Sequence, residues 1–204
     1  MKIKLCGLTR SQDILAANAC QPDYIGFVFA KSRRQVTPRR AYELHALLDS
    51  RIQAVGVFVN APIEEITTLY DAGIIDFAQL HGDEDEAYLS ALRKASPCPI
   101  IKAVRVTGKR DILKAQALPC DFLLLDTFVD GQQGGSGKPF NHRLIPPLTK
   151  PFFLAGGISA HTIVQAMRAN PYALDVSSGI ETDGSKDERK MAELTQLVKS
   201  CALR

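Results

Sequence analysis

The residues of this chain that could do acid–base chemistry stand at the ends of short apolar runs. Cys6 closes Ile3-Lys4-Leu5, His81 follows Phe77-Ala78-Gln79-Leu80, and Asp126 ends Phe122-Leu123-Leu124-Leu125. A thiolate at Cys6 can serve as a base or a nucleophile, although a free cysteine can equally be a small buried hydrophobe. Asp126 can act as a general acid if desolvation lets it keep a proton near neutral pH; its other reading is a helix cap or loop brace. Arg34, in the basic segment Lys31-Ser32-Arg33-Arg34, can clamp a carboxylate bidentately, or it can belong with Arg33 to a solvated charge run. His81 can orient or polarise a substrate, or make a structural hydrogen bond.

Three glycine-rich stretches could hold an anion. Gly156-Gly157 and Ser177-Ser178-Gly179 each follow an apolar run and would let backbone N–H groups approach a phosphate closely. The alternative is a pair of tight turns that merely close short loops. Gly134-Gly135-Ser136-Gly137-Lys138, just beyond Asp126, is a segment that could close over the same anion.

Elements must bring these residues together. Eight apolar runs recur, at 3–5, 24–29, 54–59, 77–80, 100–104, 122–125, 152–155 and 173–176. None alternates strictly, which suits parallel strands covered on both faces. Between them lie helical segments with start signals. Thr9 and Gln12 form a capping box. Thr37-Pro38 and Ala61-Pro62 place proline at a helix start. Ser159 can cap the segment holding Ile163, Val164 and Met167. The stripe Met191, Leu194, Leu197, Val198 and Cys201 marks a last helix. Eight strand–helix units predict one (β/α)8 TIM barrel over residues 1–204, with the polar strand ends converging on one mouth. An open doubly wound sheet would want fewer strands, and no G-x-G-x-x-G follows a strand. Period-two geometry puts Lys4 and Cys6 on one face of the first strand. If Cys6 faces the barrel axis, Lys4 does too, deeper, and needs a partner. Closure sets the last strand beside the first, so Asp175 is the candidate.

Composition narrows the classes. A net charge of +3 with scattered basic residues gives no footprint for nucleic acid. No apolar run is long enough to span a bilayer, and structure is expected from the first residues, leaving no room for a signal peptide. Cys6, Cys20, Cys98, Cys120 and Cys201 show no CxxC and no pairing with histidine, so neither a disulfide framework nor a metal site is expected. A cytoplasmic protein follows. Nothing separates a monomer from a homodimer.

The strand ends, taken together, resemble the phosphoribosylanthranilate isomerase family. The matching segments are Lys4-Leu5-Cys6-Gly7-Leu8-Thr9, Gly26-Phe27-Val28-Phe29 with Lys31-Ser32-Arg33-Arg34, and Gly56-Val57-Phe58-Val59-Asn60. They continue through Gln79-Leu80-His81-Gly82, Leu125-Asp126-Thr127, Gly134-Gly135-Ser136-Gly137-Lys138, and Asp175-Val176-Ser177-Ser178-Gly179-Ile180-Glu181. The resemblance implies an Amadori isomerisation in tryptophan biosynthesis, acting on a small phosphorylated substrate without metal or cofactor. It implies Cys6 as general base, Asp126 as general acid and Arg34 on the anthranilate carboxylate. His81 and Gly135 would line the substrate, with phosphate on Gly156, Gly157, Ser177, Ser178 and Gly179. One departure is visible: Phe140-Asn141-His142 stands where the family usually has Phe-Asp-Trp, and a local packing change is expected there.

Other phosphosugar enzymes on this fold fit less well. A pentose-phosphate epimerase would want a His and Asp metal set at the strand ends, where only His81 stands. The histidine-pathway Amadori isomerase resembles a twofold-repeated barrel with aspartates as acid and base, and Cys6 argues against it. A phosphometabolite-binding protein without activity would have no need of Cys6, Asp126 and Arg34 together.

Overall fold

The computed structural model describes residues 1–127 and 145–201. Eight strands, β1 (Lys2–Cys6), β2 (Tyr24–Val28), β3 (Gln53–Phe58), β4 (Phe77–Leu80), β5 (Ile100–Val106), β6 (Phe122–Thr127), β7 (Phe152–Leu154) and β8 (Ala173–Val176), close into one barrel in chain order. Every neighbouring pair is parallel, including β1 with β8. Each expected apolar run is one of these strands, with ends that coincide or differ by at most two residues. Outside them lie α1 (Ser11–Cys20), α2 (Pro38–His45), α3 (Ile63–Asp71), α4 (Glu86–Ala95), α5 (Lys109–Gln116), α6 (Ile163–Met167) and α7 (Glu188–Cys201). Among the described residues no helix is long and apolar enough to cross a membrane.

Side-chain alternation sorts the core into two shells. Ile3, Leu5, Ile25, Phe27, Leu123, Leu125 and Leu174 join the cluster shared with the helices. Tyr24, Val55, Phe77, Ile101, Leu124, Phe153 and Ala173 form the cluster inside the barrel. The floor is aromatic: Tyr24 meets Phe77 edge-on at 5.5 Å, and Phe122 meets Phe153 at 5.7 Å. Lys2 lies over the Tyr24 and Tyr172 rings, 5.3 and 5.2 Å from their centroids. The barrel is therefore solid at its amino-terminal end, and chemistry is left to the other.

Three helix starts differ from expectation. Asp13, not Gln12, reaches back at α1, accepting from the backbone N–H of Thr9 and Arg10 at 3.0 and 2.9 Å. A buried carboxylate is the stronger acceptor, and Gln12 is left exposed. At α6 the residue before the helix is Thr162 rather than Ser159, which contributes its carbonyl to the Ile163 N–H. Thr37 caps α2 as expected, accepting from Arg40 at 3.1 Å. Pro62 stands one place before α3 rather than inside it.

Candidate active site

Three inward positions one step above the aromatic floor are polar: Lys4, Gln79 and Asp175. Lys4 on β1 is fully buried and lies level with Asp175 on β8 in the strand register. Its ammonium sits 3.0 Å from Asp175 Oδ1 and donates to Gln79 Oε1 at 2.9 Å. The partner anticipated for Lys4 is thus the one it has. Burial alone would lower the Lys4 ammonium; the charges of Asp175 and Cys6 more than reverse this and hold it raised. A charge at that depth needs such a partner.

Above this layer three side chains reach the mouth. Cys6 ends β1, and Gly26 on β2 makes room for it: a Cβ there would lie 2.7 Å from the Cys6 sulfur. Burial pushes the Cys6 thiol up, Lys4 opposes this, Asp175 adds to it, and Lys186 opposes it again. His81 follows β4, and its Nδ1 lies 2.9 Å from Gln79 Nε2. Its Nε2 is 3.3 Å from Asp126 Oδ2, at the end of β6. The loop carrying His81 is braced from behind. There Glu84 accepts from the backbone of Asn60 and Gly82, and Lys102 reaches Glu84 at 2.6 Å.

The loops after β7 and β8 lie together, as an anion cup requires. Gly156 and Gly157 take φ of 90° and 62°, open to glycine at no steric cost. A Cβ on Gly179 would stand 1.9 Å from the Ile158 carbonyl oxygen, so the two loops touch backbone to backbone. Ser177 donates to the Cys6 carbonyl at 3.2 Å, tying the loop after β8 to the end of β1. Ser178 opens a 3-10 turn, Ser178–Ile180. Thr162 holds the other loop through the Gly157 carbonyl at 2.7 Å. Gly135, with Gly134, Ser136, Gly137 and Lys138, lies outside the described residues, as does Asn141-His142.

Arg34 is not a free fork. Its Nε and Nη2 donate to the two oxygens of Glu181 at 2.7 and 3.1 Å. Glu181 also accepts from Arg33 and, at 2.8 Å, from Lys186. Burial pushes the Glu181 carboxyl up, but Arg34 and Lys186 bring it down to about 2. Both Glu181 and Lys186 come from a hairpin, β9 (Glu181–Thr182) and β10 (Ser185–Lys186), turned by Asp183 and Gly184 at φ 51° and 79°. Asp-Gly between short strands is the signature of such a turn, and it was the available signal for Lys186. Gln79 offered none in isolation, because its role rests on neighbours contributed by β1.

The chain matches the family model for N-(5'phosphoribosyl)anthranilate (PRA) isomerase over residues 3–197. It belongs to that family. N-(5'-phosphoribosyl)anthranilate isomerase of Endomicrobium trichonymphae is 44% identical over 200 residues, covering 98% of each chain. The crystal structure of phosphoribosyl anthranilate isomerase from Thermus thermophilus superposes with a TM-score of 0.85 at 33% identity, over 100% of both chains. A phosphoribosyl anthranilate isomerase solved in complex with reduced 1-(o-carboxyphenylamino)-1-deoxyribulose 5-phosphate superposes at 0.80 and 28% identity, over 98% of this chain and 99% of that one. The (β/α)8 architecture is thus the family's own, and the isomerase resemblance seen at the strand ends holds across the whole chain.

Proposed function

We propose that this isomerase converts N-(5'-phosphoribosyl)anthranilate to 1-(2-carboxyphenylamino)-1-deoxyribulose 5-phosphate with Asp126 as general acid and Cys6 as general base. Asp126 gives its proton to the furanose oxygen as the C1′–O bond breaks and the anthranilate nitrogen forms a Schiff base. Cys6, as thiolate, takes the proton from C2′; those electrons form C1′=C2′ and neutralise the nitrogen. The resulting enolamine ketonises by losing its 2′-hydroxyl proton and gaining one at C1′, and exchange with solvent reprotonates Asp126 and deprotonates Cys6, so atoms and charge balance with no redox step. What supports the reading is that Cys6 and Asp126 end the inward faces of β1 and β6, three strands apart around one mouth, with the Lys4 charge beneath the thiol.

Binding at both ends would hold the reacting carbons between acid and base. The phosphate would sit on Gly156, Gly157, Ser177, Ser178 and Gly179, with Gly135 closing over it. Arg34 Nη1 and the second N–H of Nη2, left over by the pairing of Nε and Nη2 with Glu181, would take the anthranilate carboxylate. His81 would lie against the acid. The chain acts as a single domain over 1–204, in the cytoplasm, as a monomer or a homodimer. The test is turnover of phosphoribosylanthranilate, generated in the cuvette, followed by loss of its fluorescence. Arg34→Gln is expected to raise KM about tenfold or more, the loss of one charge-assisted carboxylate contact. No turnover by the folded wild type would overturn the proposal.

A further inference from the structure

We propose that Gln79 is a positioning residue that, gripped by Lys4, fixes the imidazole proton of His81 on Nε2, facing Asp126. The inference deepens the site reading above, because its catalytic half rests on Asp126 as the acid.

The argument is a chain of forced choices. Lys4 Nζ lies 3.0 Å from Asp175 Oδ1 and 2.9 Å from one terminal atom of the Gln79 amide. An ammonium only donates, so the atom facing it must be the amide oxygen. The amide nitrogen then faces the other way, 2.9 Å from His81 Nδ1. An amide nitrogen also only donates, so Nδ1 must accept and carry no proton. A neutral imidazole with Nδ1 accepting holds its proton on Nε2. That atom is 3.3 Å from Asp126 Oδ2. The two members that make the choice, Lys4 and Gln79, are shut away from water, at 0% and 1% exposure, so no solvent molecule can relax it.

This has a chemical consequence. With its proton on Nε2, His81 holds a donor 3.3 Å from Asp126 Oδ2, close enough to turn toward that oxygen, and the acidic proton of Asp126 then belongs on Oδ1. Once the proton has gone to the ring oxygen, the same N–H stabilises the carboxylate left behind. Lys4 therefore serves both partners of the reaction: its charge opposes the upward shift of the Cys6 thiol, and through Gln79 it orients the donor beside the acid. The link carries polarity and no proton, because a primary amide passes none on.

The experiment is 15N NMR of the histidine side chains at a pH where imidazole is neutral, with His81 assigned by its disappearance in His81→Gln. The expected result for wild type is a protonated Nε2 and a bare, accepting Nδ1. In Gln79→Glu, close in shape, the carboxylate can only accept, so the proton is expected to move to Nδ1. In that variant kcat should fall about 10- to 100-fold with KM changed much less, as for one lost hydrogen bond to a charge. A proton on Nδ1 in wild type overturns the proposal whether or not the variant folds. So does an unchanged kcat in folded Gln79→Glu. Full activity of Asp126→Asn would overturn the acid assignment and the catalytic half with it, while the tautomer is read from the resting protein independently.

Discussion

Cys6 carries a conflict that its neighbours only partly resolve. Burial makes the thiol hard to ionise, and Lys4 and Lys186 are the charges set against that. A base with a raised pKa is active in its minority form, so its titration should be visible once the acid's is removed. In Asp126→Asn, where the amide holds no titrating proton, residual kcat/KM is expected to climb about tenfold per pH unit below the thiol's pKa. Measuring the residual rate between neutral and alkaline pH checks this, and a flat profile would count against Cys6 as base. The same shift has a stability sign. A raised thiol favours the folded state fully below the unfolded chain's thiol pKa, and that contribution is lost as pH rises through the folded value. The deeper partner matters more for folding. Lys4→Met leaves Asp175 buried and unpaired and is expected to cost about 3–5 kcal/mol in chemical denaturation. Adding Asp175→Leu should restore most of that loss without restoring activity.

The hairpin between β8 and α7 is the element that turns strand-end residues into a site. It brings Glu181 to Arg34, and Lys186 to the Ser177 carbonyl at 2.9 Å. Glu181→Gln should leave the Arg34 fork poorly oriented, so KM is expected to rise about tenfold with kcat changed less. An unchanged KM would show that the pair does not position Arg34. The carboxyl sits at about 2 against an ordinary 4.5. Its contribution to stability is therefore complete above the ordinary value and lost as pH falls through about 2. Acid unfolding of Glu181→Gln should lack that part of the pH dependence. The strands, and the glycine turns after β7 and β8, were legible in the sequence because apolar runs and glycine pairs are local signals. Lys4 with Asp175 was legible because closure and period two determine it. The capping residue of α1 was not, since Gln12 and Asp13 both suit the local pattern and only burial separates them. Arg34 was read as an open clamp because its partner lies 147 residues away, on a hairpin marked only by Asp183-Gly184.

At the scale of the whole molecule, the barrel separates stability from chemistry along its axis. Phe77, Phe122 and Phe153 pack edge-to-face at the amino-terminal end, while Cys6, His81 and Asp126 stand at the other. Phe153→Ala is expected to cost about 3–5 kcal/mol in urea or thermal unfolding. Its kcat should stay within about twofold of wild type at a temperature where the variant is folded, because the Phe153 ring packs against Tyr24, Phe122 and Tyr172 at the closed end rather than against the groups that hold or position Cys6 and Asp126. A large loss of kcat in the folded variant would show that the floor and the mouth are coupled. Between the two ends lies the Lys4–Asp175–Gln79 layer, buried like the floor yet wired to the mouth. Closure of β1 on β8 is thus also what sets the Lys4 charge beneath Cys6.

The most direct test of the acid–base assignment is the fluorescence assay with phosphoribosylanthranilate on wild type, Cys6→Ser and Asp126→Asn, each shown to be folded. Turnover by wild type with kcat lowered about 100-fold or more in both variants is the predicted result. Near-wild-type turnover by either folded variant would contradict it.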